Sequence, residues 1–287
     1  SAFSNFDGIT YGKGASVLKQ LNFLLGEEKF QKGIQKYFAK YAEQNTRIEN
    51  FIGSLEEGSG KKLDSWVEQW LKTTGSNKIK VDYICDKNKI SSFSLSQDQA
   101  PREHKTQIAL LKNNKVYYVS QTVYDKPTNN VGDLIGQECP DFVYPNYQDY
   151  DFVSVDLDAK SLEFAQKKLS SIADNFLRLM VFNTLWEMVE GNSLSVEQYV
   201  DTILPALKVE KDLIIISSTL RKLNRSASYF YKLSNNEYLN TLDSFLWEQT
   251  LKAKSHSDEK KLYFKSFTEN AVTEKSLKEL NALIRKE

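Results

Sequence analysis

Asn77-Lys78-Ile79-Lys80-Val81-Asp82-Tyr83 is where the chain changes period. Ile79, Val81 and Tyr83 alternate with polar residues, the pattern of a strand with one buried face. Asp86-Lys87-Asn88-Lys89 supplies a turn before Ile90, Phe93 and Leu95. Further strands are expected over Thr106–Leu111 and Val116–Tyr124, separated by Lys112-Asn113-Asn114-Lys115, and around Phe152, Val153 and Val155 beside Asp151 and Asp156. Pro101, Pro127, Pro140 and Pro145 fall between these strands, where a missing backbone donor does least harm. Short strands parted by turns predict a small β-sandwich over residues 77–157. The loops around Pro127 and Pro140–Pro145 are its expected points of first proteolysis.

Working back toward the N-terminus, residues 1–76 read as helical. Val17, Leu18, Leu21, Leu24 and Leu25 recur at helical spacing and stop at Gly26, a residue suited to ending a helix. Phe30, Ile34, Tyr37, Phe38 and Tyr41 repeat the period. Thr46-Arg47-Ile48-Glu49 reads as a capping box opening a third helix, with Phe51, Ile52 and Leu55 facing inward and Gly58 ending it. A fourth helix carries Trp66, Val67, Trp70 and Leu71 and ends before Gly75.

From residue 158 to 287 the helical period returns. Leu162, Phe164, Ala165, Leu169 and Ile172 lead into Phe176–Phe182, Leu185, Trp186 and Met188. Ser195-Val196-Glu197-Gln198 is a second capping box. Later helices are expected over Leu213–Leu223, Glu237–Leu251, Glu259–Asn270 and Glu274–Arg285. Helices of this length joined by short polar loops suit stacked antiparallel pairs of the HEAT kind, a helical superhelix. With no Gly or Pro stop before Glu287, that superhelix is expected to be cut short. Tyr144, Tyr147, Tyr150 and Phe152 sit among acids and read as the seam between sandwich and superhelix rather than as a base-stacking surface.

Composition narrows the function classes. An apolar content of 40 %, with 16 Phe and 15 Tyr, excludes a mainly disordered chain of 287 residues. Lys plus Arg equals Asp plus Glu, 38 against 38, so no global field draws nucleic acid or an acidic membrane. The longest aliphatic run, Leu213–Ile216, is far short of the roughly 20 residues that span a bilayer. A soluble, cytoplasmic protein is the default expectation. Cys85 and Cys139 permit a disulfide without requiring one, and two free, inert thiols are expected. Neither cysteine has an adjacent His that would make a nucleophile pair. His104 and His256 stand far apart with no His or Cys at ligand spacing, so no local zinc site is expected. Glu27-Glu28 and Glu56-Glu57 read as solvated charges beside helix ends.

The stretch Phe6-Asp7-Gly8-Ile9-Thr10-Tyr11-Gly12-Lys13-Gly14-Ala15-Ser16-Val17-Leu18 resembles the tyrosine segment of the aminopeptidase N family of zinc metallopeptidases. The resemblance continues through Phe30, Gly33, Tyr37-Phe38, Asn45-Thr46 and Trp70-Leu71-Lys72-Thr73-Thr74-Gly75. Arg102-Glu103-His104-Lys105 and Trp186-Glu187-Met188-Val189 are similar to its bacterial branch. That family binds zinc through a His-Glu-x-x-His helix upstream of the tyrosine, and this sequence contains no such motif. The resemblance therefore implies a C-terminal fragment: residues 1–76 as the end of the thermolysin-like catalytic domain, 77–157 as the β-sandwich, and 158–287 as the superhelix.

It also implies roles. In the family a zinc-activated water attacks the peptide carbonyl, and the phenol matching Tyr11 donates a hydrogen bond to the oxyanion that forms. A phenol with a pKa of about 10 keeps its proton at neutral pH. Phe6 is the candidate for lining the substrate cleft, and Asp7 for capping the helix after Tyr11. Gly12 and Gly14 allow close backbone approach, and Lys13 reads as a structural or solvated charge. The zinc, the Glu base and the amine-binding acids belong to the N-terminal catalytic part, which is this chain's implied partner along with peptide substrates. Alone the fragment is expected to be inactive and to hold no zinc. The rival reading is a non-catalytic helical scaffold that binds a peptide or protein.

Overall fold

A computed structural model describes residues 12–98 and 100–285. The chain is mainly helical: the described residues form eleven α-helices and seven strands in two small sheets. It divides into two compact units, Ser1–Asp158 and Ala159–Glu287.

The first unit opens with α1 (Gly14–Leu25), α2 (Glu27–Tyr41), α3 (Ile48–Ser59) and α4 (Asp64–Trp70). Val17, Leu21, Leu25, Leu55, Leu63, Trp66 and Trp70 form their buried core, with Phe152 packed against it. The expected capping box at Thr46 does not form. Arg47 caps α3 instead, its N–H donating to Asn50 Oδ1 at 2.9 Å, because the Thr46 hydroxyl is engaged with the Tyr37 hydroxyl at 2.5 Å. Gly58 does not end α3 either. Gly60 does, in the left-handed conformation at φ 70°. Gly58 instead lies where α3 crosses α2: a Cβ there would stand 2.3 Å from the backbone nitrogen of Gly33.

Strands β1 (Asn77–Asp86), β2 (Lys89–Gln97), β3 (His104–Lys112), β4 (Lys115–Tyr124), β5 (Thr128–Asn130), β6 (Phe142–Tyr144) and β7 (Val153–Asp156) follow. One sheet has the order β5-β2-β1-β7, the other β4-β3-β6. The hairpins turn at Lys87-Asn88 and Asn113-Asn114, all four with positive φ, as two-residue hairpin loops demand. β5 and β6 are three residues each, too short to show an alternation in sequence. Parallel pairing of Asn77–Lys80 with Val153–Asp156 brings the end of this region back beside its beginning.

Cys85 and Cys139 are joined in a disulfide, with Cα atoms 5.9 Å apart, so the expectation of free thiols is corrected. The segment ending at Cys139 lies along the β1–β2 hairpin through Ile90 N–H to Gln137 O, Gly136 N–H to Ile90 O and Cys139 N–H to Asn88 O. A separation of 54 residues gave no sign of that approach. Two of the four aromatics of the expected seam have partners within the first unit. Tyr150 stacks on Phe23 at 4.2 Å between ring centres and Phe152 meets Trp70 at 6.4 Å, so both face the first helices. Pro140 and Pro145 are buried, along with Phe142–Tyr144 between them, which leaves the Pro127 loop as the exposed one.

The second unit is α5 (Ala159–Lys168), α6 (Asn175–Glu190), α7 (Val196–Leu207), α8 (Leu213–Lys232), α9 (Asn236–Lys252), α10 (Asp258–Asn270) and α11 (Glu274–Ile284). The box at Ser195 forms, with Gln198 N–H donating to Ser195 Oγ and Ser195 N–H to Gln198 Oε1, both at 3.1 Å. Asp174, Asp212, Ser257 and Thr273 cap other helices through side-chain oxygens. α8 runs nine residues beyond the expected end at Leu223. Buried Ala227 and Phe230 carry the helical spacing past Leu223, and Asn224 Oδ1 accepts from Ser266 Oγ on α10 at 2.7 Å and from Asn270 Nδ2 at 2.6 Å. Between α6 and α7–α8, Arg178 makes a two-point bond to buried Glu210, at 2.7 and 3.1 Å. None of the described helices is long and apolar enough to cross a membrane.

Candidate functional site

Tyr11, Phe6 and Asp7 lie outside the described residues, which begin one residue after the tyrosine. A Cβ placed on Gly12 or Gly14 would meet nothing within 4 Å, so neither makes the expected close approach to a described atom. Lys13 proves structural: its ammonium donates to Thr73 O at 2.7 Å. Burial, and then the charge of Arg102, lower its pKa from the ordinary lysine value.

Thr73 belongs to the turn after α4, and Arg102 holds that turn. Its guanidinium donates to Gly75 O at 3.0 Å, Thr74 O at 2.8 Å and Thr73 Oγ1 at 2.9 Å, and lies over the Trp70 ring at 4.9 Å. A planar five-donor fork serves three acceptors and a ring face at once, which an ammonium does not. Beside Lys13 an apolar cleft of about 540 Å³ opens between α1, α3 and α4, walled by Val17, Phe51, Ile52, Trp66 and Trp70. Its lining suits an apolar or aromatic side chain.

Behind α1 lies a polar cluster that sequence reasoning missed. Asp151, its side chain wholly buried, accepts from Gln20 Nε2 at 2.8 Å, from the Tyr124 hydroxyl at 2.7 Å and from His104 Nδ1 at 2.8 Å. Asn146 clasps its backbone, donating from Nδ2 to Asp151 O and accepting from Asp151 N–H, both at 3.0 Å. The His104 ring is stacked on Tyr124 at 4.6 Å and meets the Trp70 edge at 4.9 Å. Burial, and then the carboxylate, push the Tyr124 hydroxyl well above its ordinary pKa, so it stays a donor.

Contact with a carboxylate assigns the imidazole hydrogen to Nδ1. Nε2 is buried without a hydrogen-bond partner. A His–Asp pair activates a nucleophile only when Nε2 reaches a hydroxyl or thiol. Here it reaches none, so the cluster holds structure in place. His104 was legible as part of the family-like Arg102–Lys105 segment, whereas Gln20, Tyr124 and Asp151 carry no local signal. His256 is exposed beside Ser255 Oγ. Among the described residues no three His, Cys, Asp or Glu side chains stand together so as to hold a metal. The described residues therefore offer no zinc site.

The comparisons follow the same order along the chain. Residues 2–70 match the Peptidase family M1 domain, and residues 142–286, about half of the chain, match the ERAP1-like C-terminal domain. The chain belongs to the family of that C-terminal domain, and with the M1 match ahead of it forms an aminopeptidase N-like C-terminal fragment. Aminopeptidase N of Streptomyces lividans is 31 % identical over 98 % of this chain and 35 % of its own length. Tricorn protease-interacting factor F2 of Thermoplasma acidophilum is 26 % identical over 86 % of this chain and 30 % of its own. Probable aminopeptidase 2 of Sulfurisphaera tokodaii is 46 % identical over 24 % of this chain and 9 % of its own. This chain spans about a third of the length of the relatives that it matches throughout.

Proposed function

We propose that this chain follows the metal-binding helix of a zinc-dependent aminopeptidase, and that the whole protein removes single residues from the free N-termini of peptides. The observation that carries this reading is the collinear likeness to an aminopeptidase along 98 % of the chain, with the two family matches in order. Residues 1–76 complete the thermolysin-like catalytic domain, 77–157 form the β-sandwich, and 158–287 a HEAT-like superhelix. The Tyr11 phenol donates to the scissile carbonyl oxygen as it gains negative charge, and Phe6 lines the cleft. Zinc and the catalytic base come from the N-terminal catalytic part. Disulfides persist in oxidising compartments, so the Cys85–Cys139 bond favours an exported protein over the cytoplasmic default.

The test is kinetic. In the full-length parent, Tyr11→Phe keeps the ring and removes the hydroxyl, so folding should hardly change. A donor to the oxyanion is worth about 3 kcal/mol, so kcat for peptide or aminoacyl-anilide hydrolysis should fall roughly 100-fold or more, with KM changing far less. Near-normal turnover in Tyr11→Phe would overturn the assignment. The 287-residue chain alone should hydrolyse neither substrate and should carry no stoichiometric zinc by elemental analysis.

A further inference from the structure

We propose that the buried Gln20–Asp151–His104–Tyr124 cluster sets the axial and rotational position of α1, making Gln20 a positioning residue for the tyrosine that precedes the helix. The proposal rests on the reading of Tyr11 as the oxyanion donor.

Gln20 occupies the inner face of α1, beside the buried stripe Val17, Leu21 and Leu25. It is only 1 % exposed, and its Oε1 has no partner. A leucine there would bury more apolar surface and leave no orphaned amide oxygen. Against that gain, leucine would take one donor from the buried Asp151 carboxylate, so the two choices lie close in stability. What the amide adds is direction: an apolar ridge tolerates sliding and rotation of a helix, whereas a single buried hydrogen bond picks out one register.

The acceptor is itself fixed without help from α1. Asp151 is clasped by Asn146 through its backbone and by His104 and Tyr124 through its carboxylate. Gln20 therefore takes its register from the strands, not the reverse. A second pin lies about two turns earlier, where Lys13 donates to Thr73 O. Arg102 holds the Thr73 hydroxyl and the neighbouring Thr74 carbonyl, and it lies over Trp70, whose ring meets His104. Both pins thus trace to Arg102–His104, at the start of β3. Tyr11 is two residues before Lys13, and a misplacement of about 1 Å at a reacting centre can lower a rate 100-fold. A helix pinned at two points meets that tolerance; a helix held by leucines alone does not.

The experiment is a double-mutant cycle in the full-length parent enzyme, with Gln20→Leu, Tyr11→Phe and the pair together. Gln20→Leu should move the melting temperature by only a few degrees, since added apolar burial offsets the lost donor to Asp151, while kcat falls about 10-fold or more and KM moves less than about threefold. In the Tyr11→Phe background the same change should alter kcat by less than about twofold, because the donor that it would misplace is already gone. Lys13→Met, at the other pin, should behave alike with a smaller fall. Unchanged kcat in Gln20→Leu, or a loss that multiplies in full with that of Tyr11→Phe, overturns the positioning role and leaves the Tyr11 assignment standing. Unchanged kcat in Tyr11→Phe overturns both.

Discussion

Lys222 on α8 donates to Asn183 Oδ1 at 2.6 Å and to Ser218 Oγ at 3.0 Å, both neutral acceptors. Burial, aided by the nearby charge of Arg221, lowers its pKa to about 8. An unfolded lysine titrates near 10.4. Between these values the unfolded chain binds the extra proton, so the stability deficit is fully present below pH 8 and is relieved as pH rises toward 10.4. Lys222→Met should therefore raise the melting temperature at pH 7, each kcal/mol being worth roughly 2–4 °C in a chain of this size. The gain over the parent sequence should shrink by pH 10 in paired thermal melts. A gain independent of pH would mean that packing alone is responsible. No local pattern marks Lys222, since its environment is made by α6 across the helix pair. The same holds for Asp151, whose partners stand 27, 47 and 131 residues away. Lys13 differs because its segment was recognisable, and of its two readings, structural or solvated, the bond to Thr73 O favours the first.

At the scale of elements, periodicity was a good guide wherever one face of an element is buried. The first four helices, the two long hairpins and the later helices all announce themselves, because burial imposes a spacing of 3.6 or 2 on apolar residues. It fails where an element is too short to repeat, as in β5 and β6. Glycine misleads for a related reason, since the residue that ends a helix also permits two helices to touch. Gly53 and Gly58 on α3 separate those roles. A Cβ at Gly58 would stand 2.3 and 2.4 Å from Gly33 backbone atoms, which cannot yield. A Cβ at Gly53 would meet nothing within 4 Å. Gly58→Ala should thus destabilise the chain by about 1–3 kcal/mol through overpacking, although alanine is the better helix former. Gly53→Ala should stabilise it by up to about 1 kcal/mol. Urea denaturation of both variants gives the comparison, and equal effects would remove the crossing from the account.

At the scale of the whole molecule, the succession of helices, strands and helices was legible because the hydrophobic period switches twice. The link that closes the strand region was not, since two cysteines 54 residues apart in sequence say nothing of their distance in space. The Cys85–Cys139 bond ties β1 to the segment leading into β6, and so joins the neighbourhoods of both sheets. Cross-linking a loop of that length removes chain entropy from the unfolded state worth about 4 kcal/mol. That is a large share of the 5–15 kcal/mol typical of a folded domain. Reduction, or a Cys85→Ala and Cys139→Ala pair, should therefore lower the stability of the Ser1–Asp158 unit by several kcal/mol. The effect has a location as well as a size. Pro140, Phe142–Tyr144 and Pro145 are buried while the Pro127 loop is exposed. Limited proteolysis of the oxidised chain should begin near Pro127 and spare 139–146, and after reduction new cuts should appear in 136–146 as that segment detaches from the β1–β2 hairpin. Mass mapping of the first fragments decides it. Cuts at 139–146 in the oxidised chain would mean that burial does not protect this segment, and an unchanged pattern after reduction would mean that the hydrogen bonds to Asn88 and Ile90 hold it without the sulfur bridge.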